Sequence, residues 1–580
     1  YTIKKDFSKN YVFFLNKKSY QLNKNIFKLN DFKIFKNFRM DRNDRIKNYK
    51  YLDEINHKIL EILTLNLNQL HGVKFKKNQW NILLGSWLFY FLSALFNRYL
   101  KLKNFLNILS DVKVYIEKNE SSIETFSTHE FLNNIHISDN WNASIYYDLL
   151  KELKVKTLVS YKNEPLAKKN LLINYKISKK RQLLSKILNI FFTPFSKNKS
   201  LIIQSYLPLF QEIYLNYKVN GVPIISIPKK LYIEDNISNF NYIFQKNQIL
   251  DKNEFFYNFT NKIIKNQIPT IFTKYFFNLK NIVSTLPWPT EPKTIFTSNL
   301  YETDEVFKMY VVLKSISTKT KYIIGQHGNS YNITIQSQYN PETQYPDNFI
   351  SWSSQESNKK HICLGNFTDN SNFKKIKYFN LKKILIVMRS KGLDYEVFDR
   401  PSMNRNYMSY LIYFLRSLKS ETRKKILLKP HFSYNKDNFL NKLKKYFPEI
   451  NVLQPNISIN KFYEDKTTFI IFNYDSSGIY KTFNINKPSM SFWPNHFNHV
   501  RDNALSYYEQ MEKLNIFFSN PKKMAKYLES LISNNSLSKW WFSDECQEFI
   551  NKFNKRYNNL LENNKKIEEF KNILLSKNDY

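Results

Sequence analysis

Lys321-Tyr322-Ile323-Ile324-Gly325-Gln326-His327-Gly328 carries the reading of this chain. An apolar run ends in two glycines around one histidine, and these are two of only eight glycines in 580 residues. Glycine is needed where φ is positive or where backbone approaches another group closely. A strand, then Gly-x-His-Gly, then the polar stretch Asn329-Ser330-Tyr331-Asn332 places a side chain at the carboxyl end of a strand. That is where open α/β sheets bind ligands. The competing reading is a tight turn with a solvated histidine.

Working outward, short apolar runs alternate with helical stretches from residue 200 onward. Strands are predicted at Leu201–Ser205, Ile224–Ile227, Thr294–Thr297, Tyr322–Ile324, Phe349–Ser351, Lys383–Met388, Lys425–Leu428, Phe469–Phe472 and Ser489–Phe492. Alternation of strand and helix implies parallel sheets of βαβ units. Runs that are apolar throughout suit strands covered on both faces. The fold class expected is α/β, with two Rossmann-like domains. The boundary falls in the polar stretch 355–380, with Gly365-Asn366 and Asp369-Asn370-Ser371-Asn372. This divides the chain into 1–370, 371–545 and a charged helical segment, 546–580, expected to cross back to the first domain. Residues 45–110 read as helical, with Ile55, Ile59, Leu60, Ile62 and Leu63 at three- and four-residue spacing. The apolar run 82–96 is shorter than the ~20 residues a spanning helix needs and reads as a buried core helix. The lysine-rich stretch Lys179-Lys180-Arg181-Gln182-Leu183-Leu184 reads as a solvated helix face.

Three further strand ends carry chemistry. Ile384–Met388 delivers Arg389, Ser390 and Lys391 into a turn closed by Gly392; a guanidinium fork suits phosphate oxygens. Ile426–Leu428 runs into Lys429-Pro430-His431. There proline ends the strand and leaves a point charge and an imidazole flanking a rigid corner. Phe469–Phe472 leads to Asp475-Ser476-Ser477-Gly478 and a helix, whose free N–H groups and dipole form a seat for phosphate. An ordinary surface turn, a strand-ending corner and simple helix capping are the competing readings. Together the four ends point to a phosphate-bearing or nucleotide substrate in a cleft between two domains.

Composition narrows the classes. Forty Tyr and 49 Phe supply ample core, so the chain is globular. The formal charge of +39 would suit nucleic acid or anionic lipid. Yet the lysines are spread along the chain, and Lys, Asn, Ile, Tyr and Phe rise together, as in an AT-rich genome. No Walker loop, Gly-x-Gly-x-x-Gly or Gly-x-Ser-x-Gly occurs, which argues against kinases, ATPases, dehydrogenases and α/β-hydrolases. Two distant cysteines and nine histidines without ligand spacing predict a reducing compartment and no structural zinc. The N-terminus, with only the short apolar patch Tyr11–Leu15, does not read as a signal peptide.

The chain resembles a bacterial family of transferases of surface carbohydrate biosynthesis. The resemblance rests on Leu70-His71, on Trp80 followed by Leu84-Gly85-Ser86-Trp87-Leu88, and on Asp139-Asn140-Trp141-Asn142. It continues through Thr297-Ser298-Asn299, Gln326-His327-Gly328, Phe349–Ser353 and Trp540-Trp541; Ser86 stands where that family has proline. More distantly, His327-Gly328, Lys429-Pro430-His431 and Ser476-Ser477 resemble motifs of the GT-B superfamily that holds capsule Kdo transferases and CDP-glycerol glycerophosphotransferases.

The resemblance implies a GT-B fold, with an acceptor-side first domain carrying the helical insertion and a donor-binding second domain. It also implies a nucleotide-activated sugar donor, CMP-Kdo-like among the options, and no cofactor or obligatory metal. The acceptor is expected to be a surface polysaccharide or a lipid-linked glycan. His327, with Asp139 as a weaker candidate, is the expected catalytic group. Gln326, Gly328, Arg389, Ser390, Lys429, His431, Asp475, Ser476 and Ser477 are expected to meet the donor. A cytoplasmic enzyme held loosely on the inner membrane face, without nucleic acid, follows. A polyol-phosphate transferase and a basic nucleic-acid-binding protein are the alternative functions.

Overall fold

The computed structural model describes residues 2–5, 12–14, 32–34, 40–108, 112–119, 124–162, 172–173, 177–192, 197–229, 231–232, 254–328, 330–353, 360–369, 375–390, 398, 404–434 and 438–576. Asn329, Asn370, Ser371, Asn372, Lys391, Gly392, Tyr11 and Leu15, named above, lie outside them.

A mixed sheet is built from β1 (Thr2–Lys5), β2 (Val12–Phe14), β3 (Phe32–Ile34), β4 (Val112–Asn119) and β5 (Thr157–Lys162), in the order β3-β2-β1-β4-β5. A small antiparallel pair joins β6 (Leu172–Ile173) to β8 (Leu231–Tyr232). The first parallel sheet comprises β7 (Leu201–Ile202), β9 (Thr294–Thr297), β10 (Lys321–Gly325), β11 (Asn348–Ser351) and β12 (His361–Cys363), ordered β12-β11-β10-β9-β7. A parallel bridge from Ile203 to Ser226 sets the next segment on the other flank of β7. The winding therefore reverses between β7 and β9. The second parallel sheet holds β13 (Lys383–Val387), β14 (Ile426–Lys429), β15 (Asn451–Val452), β16 (Thr468–Phe472), β17 (Ser489–Phe492) and β18 (Phe517–Phe518). Its order, β15-β14-β13-β16-β17-β18, is that of a doubly wound sheet, with the reversal between β13 and β16. The α/β class and the pair of Rossmann-like sheets are as expected from the sequence.

β9, β10 and β16 are buried along their whole length, which is why they read as unbroken apolar runs. The structure differs at the margins. Ile224–Ile227 makes one bridge rather than a strand. The flanking strands β12, β15 and β18 escaped the reading because they are two or three residues long. So did the mixed sheet, in which lysines interrupt the apolar pattern of β1, β3, β4 and β5 and β2 is only three residues long.

Two long helices fill the first half. The first, Arg42–His71, opens with a capping box between Asp41 and Asp44 and closes at Gly72, where φ is 60°. The second, Lys77–Ile108, is apolar on all sides. By length and composition it could cross a membrane, but 78% of its apolar window is buried inside the fold. The run 82–96 is thus part of a 32-residue core helix. Gly85 is closely packed there: a Cβ would come 2.4 Å from Asn81 Oδ1 and 3.2 Å from the Pro341 Cβ. The Asp139-Trp141-Asn142 element begins the helix Asp139–Glu152. Trp141 donates to Gln267 Oε1 at 2.9 Å, and Asn142 Oδ1 accepts from both Arg98 Nε and Nη2, at 2.9 and 2.7 Å. It is a buried anchor for Arg98, itself 1% exposed.

The helix Asn563–Leu575 returns to the first sheet. Phe570 packs edge-on against Phe296 of β9 at 4.9 Å, and Thr294 Oγ1 donates to the Leu574 carbonyl at 2.7 Å. Gly365 makes room for the segment leading to that helix: at φ 77°, its Cβ would lie 2.2 Å from the Asn559 carbonyl oxygen. One apolar cluster joins Phe296 and Ile323 of the first sheet to Ile470 and Phe472 of the second. The two sheets therefore share a continuous core.

Candidate functional site

The carboxyl end of β10 is shaped by Gly325. A Cβ there would meet Phe296 at 2.7 Å, Ser298 Oγ at 2.8 Å and Phe367 at 2.9 Å, so close packing demands glycine. Gly328 is different: open space surrounds it. Gln326 is a brace. Its Oε1 accepts from the Trp352 N–H at 2.8 Å and its Nε2 donates to the Gly328 carbonyl at 2.7 Å. Buried at 1% exposure, it ties the histidine loop to the end of β11 and does not reach outward.

His327 sits in a ring of phenols. Tyr206 stacks on it with centroids 5.7 Å apart, Tyr331 meets it edge-on at 5.7 Å, and Tyr301 lies at 6.3 Å. Tyr206 comes from the loop after β7, on the far side of the winding reversal. That loop is strained: Gln204 and Tyr206 have φ of 51° and 62°, where non-glycine residues are uncommon. Such strain gathers at functional sites. A buried brace holds it, since Glu212 accepts from Ser205 Oγ and pairs with Arg181.

Burial lowers the pKa of His327, opposed by the charge of Glu302 and a hydrogen bond to the Ser298 backbone. Nδ1 is buried and has no hydrogen-bond partner among the described residues.

A cavity of about 160 Å³ opens beside the ring. The core helix contributes Ser86 and Tyr90 to its wall, and the segment after the histidine loop contributes Asn340 and Glu342. Tyr90 donates to Glu302 at 2.8 Å. Tyr331 and the Asn340 amide both donate to Glu342 Oε1 at 2.9 Å, and Tyr301 pairs with Tyr331 at 3.0 Å. Burial pushes the Glu342 carboxyl up to about 7. Glu302, Glu342 and the tyrosines were missed in the sequence reading. Glu302 lies only four residues beyond Ser298, and Ser86 occupies the very position where the resemblance departs from proline. Asp139 is not among the residues brought to this cavity.

The second sheet places its expected residues along one edge, in the strand order β14-β13-β16-β17. Beyond β13, the Arg389 N–H donates to Asn473 Oδ1 at 2.9 Å, and the guanidinium lies 4.8 Å over the Tyr407 ring. Ser390 follows it, half-buried. Beyond β14, Lys429 Nζ donates to the carbonyls of Pro430 and Pro455, both at 2.8 Å, and desolvation lowers its pKa. Two of its three protons are thus engaged by backbone carbonyls. His431 Nδ1 accepts from the Ser433 N–H at 3.2 Å, so Nε2 is free to carry a proton. Burial and Lys429 lower its pKa.

Beyond β16, Ser476 caps the helix Ser477–Asn484 through the Gly478 N–H at 3.1 Å, and Ser477 is exposed. Asp475 faces inward: His499 Nε2 lies 2.9 Å from its carboxylate, and Tyr508 donates to it at 2.9 Å. Asp475 therefore holds the segment after β17 rather than standing open to a ligand. That segment ties the two halves together. Thr334 bridges to Val500, the Ile335 N–H donates to the His499 carbonyl at 2.9 Å, and the Arg501 N–H donates to the Ile333 carbonyl at 2.8 Å. The loop following His327 is thus fastened to the strand-end region of the second sheet.

A family model described as LIC12162 family transferase matches residues 2–574. No curated protein matches the chain. Among solved structures, the chain is similar to the UDP-bound MnaA of S. aureus (11% identity, 65% of this chain and 96% of that one, TM-score 0.35). It is also similar to MurG of Acinetobacter baumannii (9%, 65% and 99%, TM-score 0.34). A third is the wall teichoic acid polymerase TagF (14%, 49% and 72%, TM-score 0.28).

Proposed function

The chain belongs to the LIC12162 family of transferases, and we propose that it moves a sugar from a nucleotide-activated donor to a hydroxyl of a surface glycan or lipid-linked acceptor. The observation that carries this reading is the position of the chemistry: each parallel sheet presents its polar groups at its own winding reversal, and the loop behind one is fastened to the segment behind the other. Reversals are where open sheets take ligands.

The donor's phosphates lie against the second sheet. Arg389 and the free N–H groups at the start of the helix Ser477–Asn484 supply positive potential there, with Ser390, Ser477 and His431 as further donors. The acceptor hydroxyl lies at His327. Nδ1 takes its proton as the hydroxyl oxygen bonds to the sugar's anomeric carbon. The bond from that carbon to the phosphate oxygen breaks, and its electron pair leaves with the nucleotide, stabilised by Arg389 and the helix start. Glu302 stabilises the imidazolium that forms. Because protein groups supply the counter-charge, turnover is expected to survive chelation of divalent metals.

The test is a panel of CMP-, CDP-, UDP- and GDP-linked sugars, scored for nucleotide release. Release from at least one, lost in His327→Ala, supports the reading. Binding of none of them by the folded chain overturns it.

A further inference from the structure

The cavity beside His327 has a character at odds with the rest of the chain. The protein carries +39, yet no lysine or arginine is among the described residues lining this cavity, while two carboxyl groups are. Around them stand hydroxyls and an amide, and both His327 Nδ1 and Asn340 Oδ1 are buried without hydrogen-bond partners among the described residues. A sugar hydroxyl can donate to the amide oxygen and can pair with the imidazole nitrogen in either tautomer. An anion entering here would meet Glu302 and lose its water without a countercharge.

We propose that this cavity is the acceptor subsite and takes an uncharged, hydroxyl-rich sugar unit, excluding uronates and sugar phosphates. This rests on the glycosyl-transfer reading and makes a phosphate-terminated acceptor the wrong substrate class. Calorimetry on the full chain, with methyl pyranosides in neutral, uronate and 6-phosphate forms, tests it. The neutral glycoside is expected to bind at least about tenfold more tightly than either anion. The isosteric pair Glu302→Gln with Glu342→Gln is expected to shrink that ratio to about threefold or less. Equal binding of neutral and anionic glycosides overturns the subsite. So does a ratio unmoved by the double substitution in a chain that melts no lower than wild type. Nucleotide release from the donor without acceptor reports on the other half of the cleft, so the transferase reading stands or falls separately.

A second surface is carried by a different observation. The helix Lys179–Phe192 lies on the protein with its polar side inward. Ser185 is its one buried residue among those described. Ser185 Oγ and Asn189 Nδ2 donate to the Ile225 carbonyl at 2.9 and 3.0 Å, and Arg181 pairs with Glu212. The apolar side faces out: Leu183, Ile187, Ile190 and Phe191 are 60, 46, 74 and 66% exposed. Core packing would orient an amphipathic helix the other way. Lysines 179, 180 and 186 flank this face, and the helix contains no acidic residue. The patch continues onto the helix Leu209–Asn220, where Lys180 Nζ sits 5.0 Å over the ring of Phe210, 69% exposed. Contiguous exposed apolar surface marks an interaction site, and basic residues around it select its charge.

We infer that this face docks on an anionic lipid surface, with the four apolar side chains in the headgroup boundary and the lysines against lipid phosphates. Sedimentation of the full chain with vesicles tests it. Binding is expected with phosphatidylcholine containing about a third phosphatidylglycerol, and little with phosphatidylcholine alone. The triple change Ile187→Ser, Ile190→Ser and Phe191→Ser is expected to weaken binding at least about tenfold. These side chains are exposed, so melting temperature serves as the fold control. Binding unchanged in this variant, binding absent in the wild type, or dimerisation that the same changes abolish would each overturn the assignment.

Discussion

At the reversal of the first sheet the polar groups are enclosed and mutually bonded. His327 is ringed by tyrosines, Glu342 is held by Tyr331 and Asn340, and the supporting loop is strained and braced from below. At the reversal of the second sheet the charged groups stand half-open along an edge, Arg389 over an aromatic ring and Ser477 in solvent. The first arrangement suits a group whose proton must be controlled. The second suits a ligand that brings its own charge and has to leave again. One chain thus divides the two tasks of a transfer reaction between an acidic, preorganised half and a basic, accessible one.

The largest test of that division is His327. His327→Ala should lower kcat by roughly 10²-fold or more, the scale of a lost acid–base group, with melting temperature nearly unchanged. A variant that turns over like wild type would return this residue to a packed turn histidine. Next, Arg389→Ala should weaken donor binding by roughly tenfold or more, as for a lost charge-assisted contact. Lys429→Ala should weaken it less and cost more in thermal stability, because its ammonium holds the Pro430 and Pro455 carbonyls. The reverse ranking in calorimetry would show Lys429 turning outward to the donor.

Glu342 sharpens the comparison through pH. Its folded pKa, about 7, lies above its ordinary value of 4.5. The folded state therefore binds more protons than the unfolded one between those values, and stability falls as pH rises through that window. The scale is about 3 kcal/mol. Glu342→Gln should remove that slope, raising the melting temperature at pH 8 and leaving it nearly unchanged near pH 4.5. A parallel pH profile in the variant would mean the carboxylate is compensated within the fold. The smallest effect expected is for Gly328→Ala, within about 0.5 kcal/mol by denaturant unfolding, whereas Gly325→Ala should be clearly destabilising because of its crowded neighbours.

Much of this was legible before any coordinates. Strands buried on both faces announce themselves as apolar runs, and β9, β10, β16 and β17 lie within a residue of where the sequence puts them. Gly325 and His327 were legible because glycine is so scarce here. The acidic cavity was not. Glu302, Glu342 and Tyr90 come from three separate segments, and nothing local to any of them reports that the fold will bring them together. Gln326, Asp475 and Lys429 show the opposite limit. Residue type and place at a strand end are the same for a ligand-facing group and for one engaged by the rest of the fold. The lysine-rich helix at 179 read as a solvated face because its apolar positions have ordinary helical spacing. Only its inverted seating reveals which side is outward.

The return of residues 563–575 to the first sheet has a consequence for how the protein comes into being. Phe570 and Leu574 complete the packing around β9, although β9 is made some 270 residues earlier. A nascent chain emerging in order therefore leaves the Phe570 side of Phe296 uncovered while the second sheet is synthesised. Full protease resistance around β9 is expected only once residue 575 has cleared the ribosome.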